Sequence, residues 1–146
     1  MTRPMDKWDE RFMSLALAVA DWSKDPDECV GAILVSPDRR NVSWGFNGIP
    51  RRMSDSPGRL LNKETKLKLT VHAELNALLN CPLPPASWTL YVTKHPCHEC
   101  AKAIVQADVC RVVCPDFGSH SSWAPSCHLA RSILEEAGIV LDTLAQ

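Results

Sequence analysis

No apolar run in this chain approaches the ~20 residues that a membrane-crossing helix requires. The opening Met1-Thr2-Arg3-Pro4-Met5-Asp6 lacks the apolar core of a secretory leader. A cytoplasmic protein is therefore expected. A net charge of consequence is missing too. The formal value is −1, so no global field draws the chain to nucleic acid or to an anionic membrane. The local exception is Arg51 to Lys68, with six basic residues against two acidic ones. That stretch reads either as a solvated face or as a place where phosphate is held. There is no internal repeat, low-complexity tract or linker. Nor is the cysteine count even. Seven cysteines in a reducing compartment favour metal ligation or buried thiols over a disulfide framework.

What is present fits an ordinary globular chain. It has 146 residues, 45% of them apolar and 23% charged. One domain over 1–146 is expected. Trp8, Phe12, Leu15, Val19 and Trp22 fall at offsets 0, 4, 7, 11 and 14, one stripe on a helix from about Asp6 to Trp22. Pro26 ends it, because proline disfavours helical geometry just before it. "CVGAILV" (Cys29–Val35) and "NVSWGF" (Asn41–Phe46) read as a hairpin around the turn "SPDRR". The basic stretch has room for a short helix near Leu60–Leu69. His72–Asn80 reads as a helix stopped by "CPLPP", and Trp88–Thr93 as a strand. A helix over Cys97–Ala107, a strand over Val109–Cys114 and a helix over Pro125–Ala137 follow. Gly138 stops that last helix, and Ile139–Thr143 completes the set. A hairpin followed by alternating helices and strands predicts an α/β fold, with helices on both faces of a mixed sheet.

One constellation carries chemistry. Cys97 and Cys100 are i and i+3 at a helix start, so their thiols project within ~60° of each other. The positive end of the helix favours thiolates there. Zinc takes sulfur and imidazole ligands in tetrahedral geometry, and His72 begins another helix from which a third ligand can come. Glu74, two residues on, would reach what the metal binds rather than the metal. Three protein ligands leave a fourth position for water, the mark of a catalytic zinc. The arrangement suits hydrolytic attack on an amidine-like ring carbon. Two blander readings stand beside this one: a structural zinc with a fourth protein ligand, and Glu74 as an acid that merely suits the helix dipole.

H-x-E…P-C-x-x-C is the signature of zinc nucleobase deaminases. The chain resembles the deoxycytidylate (dCMP) deaminase family of the cytidine deaminase superfamily. The resemblance rests on "SKDP" (Ser23–Pro26), "VGAILV" (Val30–Val35), "GFNGIP" (Gly45–Pro50), "SD" (Ser54-Asp55), "HAELNALLN" (His72–Asn80) and "PCHECAKAIVQA" (Pro96–Ala107). The G-F-N-G-x-P segment and the long insertion before His72 favour this family over tRNA adenosine deaminases.

The resemblance implies a three-layer α-β-α fold on a five-stranded mixed sheet, and conversion of dCMP and water to dUMP and ammonia in supply of dTMP. Zinc would be held by His72, Cys97 and Cys100. Glu74 would take the water proton, protonate N3 and later help the amino group leave as ammonia. Asn47 and Ala73 would touch the substrate. Ser23 and Lys24 are the candidates for its 5′-phosphate, ahead of Arg59 and Lys63, although Lys24 reads equally as a solvated charge and Asn47-Gly48 as a turn pair. A homohexamer is implied, activated by dCTP and inhibited by dTTP, with Mg2+ accompanying the triphosphate. The turn of Gly45, Phe46 and Gly48 is the candidate effector site, and Phe117 departs from the tyrosine of some relatives.

Cys110 and Cys114 are expected to face one side of a strand as core thiols. Trp8 and Trp22 are expected in the core or at an oligomer interface, and His98 pointing away from the metal. His95, His120 and His128 show no pattern. Rival readings are turnover of dCTP, deoxycytidine, cytidine or a tRNA adenosine, and a zinc-stabilised binding module without activity.

Overall fold

In the computed structural model the described residues are 4–144, so both ends of the expected 1–146 domain lie outside them. The elements run α1 (Lys7–Ala20), β1 (Gly31–Val35), β2 (Val42–Phe46), α2 (Pro57–Leu60), α3 (Lys63–Leu69) and α4 (Ala73–Asn80). Then come β3 (Thr89–Val92), α5 (His98–Gln106), β4 (Arg111–Pro115), α6 (Ala124–Glu136) and β5 (Val140–Leu144). The five strands form one sheet in the order β2-β1-β3-β4-β5. β1 is antiparallel to β2 and β3, while β3, β4 and β5 are parallel. The mixed sheet expected from the sequence is thus observed, and the basic insertion carries two short helices.

The sheet separates two apolar clusters. On one face α1 packs Met13, Ala16 and Val19 against Ile33, Val35, Tyr91 and Val113. On the other, α4, α5 and α6 cover Ala32, Leu34, Leu90, Val92, Val112 and Cys114. β1 is buried along its whole length, and β2 alternates as an edge strand does. Gly138 follows α6 at φ +78°, the left-handed stop that glycine adopts without a Cβ penalty.

α1 corrects the expected stripe. Its buried face is Asp9, Met13, Ala16, Val19 and Ala20, while Leu15 is 41% and Trp22 55% exposed. The cause is Asp9. Its carboxylate takes a bidentate pair from Arg111 (2.8 and 3.0 Å) and the Tyr91 hydroxyl (2.6 Å). Arg111 also donates to Asp142 at 2.7 Å. A polar anchor therefore sets the helix's rotation, and an apolar count misplaces the face by about one residue. Trp22 instead meets Trp44 and Phe46 edge-on, outside the core. Cys110 is a second correction. It precedes β4 and is exposed, its thiol donating to the Ser87 carbonyl at 3.1 Å, while Cys114 is buried.

Strand directions explain where a site forms. β1 begins where β3 ends, because Ala32 pairs with Val92, and β2 ends there too, because Gly31 pairs with Phe46. The segments 25–30, 47–48 and 93–97 therefore meet at one end of the sheet. α4 starts above them, and Gly45 lets it do so. A Cβ on Gly45 would lie 2.3 Å from Ala77 N and 2.5 Å from Ala73 O.

Candidate active site

His72 is the N-cap of α4 and Cys97 the N-cap of α5. Cys100 follows one turn into α5. Two helix starts thus converge. His72 Nδ1 is 3.3 Å from Cys100 Sγ and 3.5 Å from Cys97 Sγ, and the three ligand atoms lie within 4.8 Å of one another. A tetrahedral zinc with Zn–S of ~2.3 Å and Zn–N of ~2.0–2.1 Å implies N···S edges of about 3.5–3.6 Å. The donor set therefore fits zinc in both type and spacing. No fourth His, Cys, Asp or Glu joins this cluster among the described residues.

The electrostatics favour ligation. The Cys100 thiol and the His72 imidazole hold the Cys97 thiol down at about 4. Cys100 is pushed up by that same hydrogen bond and by burial, so the two sulfurs divide one proton. His72 is raised, chiefly by its contact with Cys97. Ligation takes both sulfurs as thiolates and a neutral imidazole, so metal binding releases protons. Glu74, in the first turn of α4, is 5% exposed, and burial pushes its carboxyl above the usual carboxylate range. A carboxyl raised in this way holds a proton more readily than an exposed one, which suits proton transfer.

These groups open on a cavity of about 190 Å³, which His72, Ala73, Glu74 and Cys97 line. Its further walls include Asn47, Asp25, Lys66, Lys94, His95 and Trp123. Trp123 sets its ring edge-on to His72, centroids 6.3 Å apart, and Lys94 lies over Trp123 at 4.7 Å. Asn47 is buried and fully engaged. Its Oδ1 accepts from Val30 N–H (2.9 Å), and its Nδ2 donates to Glu28 O (2.9 Å).

Most of the other expected residues lie apart from the cavity. Ser23 donates to the Asn47 carbonyl at 2.8 Å and so braces that loop from behind. Lys24 is exposed and paired with Asp55 at 2.7 Å. Arg59 donates to Ser54 O at 2.8 Å. Lys63 does line the cavity. Gly45 is spent on packing α4, Phe46 stacks on Trp44, and Gly48 pairs with Val71 in an isolated bridge. His98 turns away, its Nδ1 2.7 Å from Ser126 Oγ.

Asp25, Lys66, Lys94, His95 and Trp123 were not singled out from the sequence. Asp25 sits inside "SKDP", a segment that carries the family resemblance, but no local pattern marks its role. Nothing local marks Lys66 as buried, because its partners lie about 40 positions away.

A family model, the cytidine and deoxycytidylate deaminase zinc-binding region, matches residues 6–115. The chain belongs to the cytidine and deoxycytidylate deaminase family. This deaminase is 36% identical over 137 residues to an uncharacterized deaminase of Aliivibrio fischeri, covering 92% of each chain. It is 37% identical over 139 residues to the Homo sapiens deoxycytidylate deaminase, covering 91% of this chain and 77% of that one. In fold it matches the cyanophage S-TIM5 dCMP deaminase with a TM-score of 0.73 at 22% identity, over 97% of this chain and 100% of the other. The deaminase is accordingly a hydrolase of a zinc-binding family with a cytidine deaminase-like fold.

Proposed function

We propose that this deaminase converts dCMP and water to dUMP and ammonia, with zinc held by His72, Cys97 and Cys100. One observation carries the reading: the His-Cys-Cys cluster and the buried Glu74 share a cavity in a chain 37% identical to a deoxycytidylate deaminase. Zinc, when bound, supplies Lewis acidity that makes water a competent nucleophile near neutral pH. The chain's own residues do the rest. Glu74 accepts a proton as water adds to C4 of the cytosine. It gives that proton to N3 as the oxygen adds, then takes the second proton from the added oxygen and gives it to the amino group, so that the C4–N bond breaks, ammonia leaves and the C4 carbonyl of dUMP forms. Ala73 and Trp123 confine the ring, and Asn47 fixes the loop around it.

For the 5′-phosphate we favour Lys63, which lines the cavity and has no ion pair among the described residues. Ser23 and Lys24 are already committed to Asn47 and Asp55. The product dUMP would supply dTMP formation in the cytoplasm. We extend the proposal to a homohexamer activated by dCTP and inhibited by dTTP, with Mg2+ on the triphosphate and the Phe46–Gly48 turn as the contact. The family resemblance supports this extension, and the exposed Trp22 and Trp44 supply apolar surface for self-association.

A zinc-loaded assay of dCMP, deoxycytidine and dCTP, repeated with dCTP or dTTP as effector, tests the whole. Fastest turnover of dCMP is expected. Equal turnover of deoxycytidine would end the phosphate argument, and no ammonia from any of the three would favour a binding module.

A further inference from the structure

The wall of the cavity beside Asn47 contains a carboxylate with no part in the proton transfers at C4 and N3. Asp25 side-chain exposure is 9%, and the residue lines the cavity. Its two oxygens are unequally occupied. Oδ1 accepts from Lys66 Nζ at 2.7 Å, from Asp27 N–H at 2.9 Å and from Glu28 N–H at 3.1 Å. Oδ2 has one long contact, Asn47 Nδ2 at 3.5 Å. Oδ1 therefore braces the loop, and Oδ2 keeps acceptor capacity that a buried carboxylate ordinarily uses. Lys66 is itself 4% exposed and comes from α3, and Asp27, in the segment before β1, joins the same ammonium. This counter-charge keeps Asp25 ionised in a buried place, where an unpaired carboxylate would be costly.

An ionised carboxylate accepts hydrogen bonds and repels phosphate. The substrate group it fits is a hydroxyl. In a cytosine deoxynucleotide carrying a 5′-phosphate, the sugar has a single O–H left, at the 3′ position. We infer that Asp25 Oδ2 accepts the hydrogen bond of the substrate's 3′-hydroxyl, with Lys66 as the positioning residue that holds it in the cavity wall. The inference rests on the reading of the substrate as a cytosine deoxynucleotide. It makes Asp25 a specificity residue. A free 3′-hydroxyl is a mark of a mononucleotide, and an internal nucleotide of a strand, whose 3′ oxygen is esterified, has no proton to offer and would bring a phosphate against the carboxylate.

The experiment compares dCMP with 2′,3′-dideoxycytidine 5′-monophosphate on the zinc-loaded enzyme, in the parent and in Asp25→Asn. The parent should favour dCMP by roughly 10- to 100-fold in kcat/KM, the loss expected for a hydrogen bond to a charged group. Asp25→Asn should collapse that ratio toward one. Lys66→Met should lower the ratio too, chiefly through KM, and Lys66→Arg should restore it. Calorimetry of the parent with dUMP and with its 2′,3′-dideoxy analogue gives the same comparison without turnover and without a variant. A parent ratio near one, or a large ratio that survives in folded Asp25→Asn, overturns the assignment. Preferential binding of dUMP by a parent that does not turn over dCMP would uphold the hydroxyl contact while refuting the deaminase reading.

Discussion

Gly45→Ala gives a sharp test of how the fold builds the site. The added methyl would sit 2.3 Å from Ala77 N and 2.5 Å from Ala73 O, both backbone atoms of α4. Ordinary contact begins near 3.4 Å, so the helix must withdraw by about 1 Å. Overpacking of this kind costs ~1–3 kcal/mol. At ~2–4 °C per kcal/mol for a chain this long, Tm should fall by roughly 2–12 °C. The larger effect is on chemistry, because α4 carries Glu74 in its first turn and His72 at its cap. A displacement of ~1 Å in such a group costs about 10²-fold in rate. Thermal melts read the first effect and ammonia release from dCMP the second. An unchanged Tm with unchanged turnover would refute the packing argument. Loss of effector response alone, with stability intact, would return Gly45 to the effector role that the sequence suggested.

Glu74→Gln should keep the fold and bound zinc while losing ~10²–10⁴-fold in kcat, the usual size of a general acid–base contribution; turnover like the parent's would remove Glu74 from the proton path. Cys97→Ser should lower both the zinc content by elemental analysis and the Tm, because ligation contributes folding free energy; full occupancy would argue against its sulfur as a ligand. Asp9→Asn should destabilise by ~1–3 kcal/mol in denaturant melts, since it removes the charge from the bidentate pair with Arg111, which keeps only Asp142 as a charged partner. Burial opposes the Asp9 charge, but the Arg111 and Tyr91 hydrogen bonds outweigh it and hold the carboxyl far below its ordinary value. A depressed folded-state pKa gives stability that is full above the unfolded value of ~3.9 and lost as pH falls beneath it toward the folded pKa. The parent's acid melts should show this loss and Asp9→Asn should show less of it. Identical acid profiles would contradict the assignment.

The architecture was legible because the strands are short, β-branched and bounded by turn residues, and because helices and strands alternate after the hairpin. All five strands and the major helices fall close to their expected spans. The His72, Cys97 and Cys100 cluster was legible because ligand type, order and spacing are local properties of two helix starts. What stayed hidden depends on contacts across the chain. The rotation of α1 follows from Asp9 meeting Arg111, 102 positions away. Lys66 looks like one more charge in a basic stretch until Asp25, 41 positions earlier, is brought to it. Ser23 and Lys24 belong to the expected segment, yet the direction of their side chains depends on Asn47 and Asp55, which no periodicity reveals.

Activity depends most on the coordination of the metal. X-ray absorption at the zinc edge on the purified protein measures it directly. One zinc per chain is expected, with two sulfurs at ~2.3 Å, one imidazole nitrogen at ~2.0–2.1 Å and one exchangeable light atom from solvent. A shell of four protein ligands, or protein that retains no zinc after exposure to the metal, would contradict it.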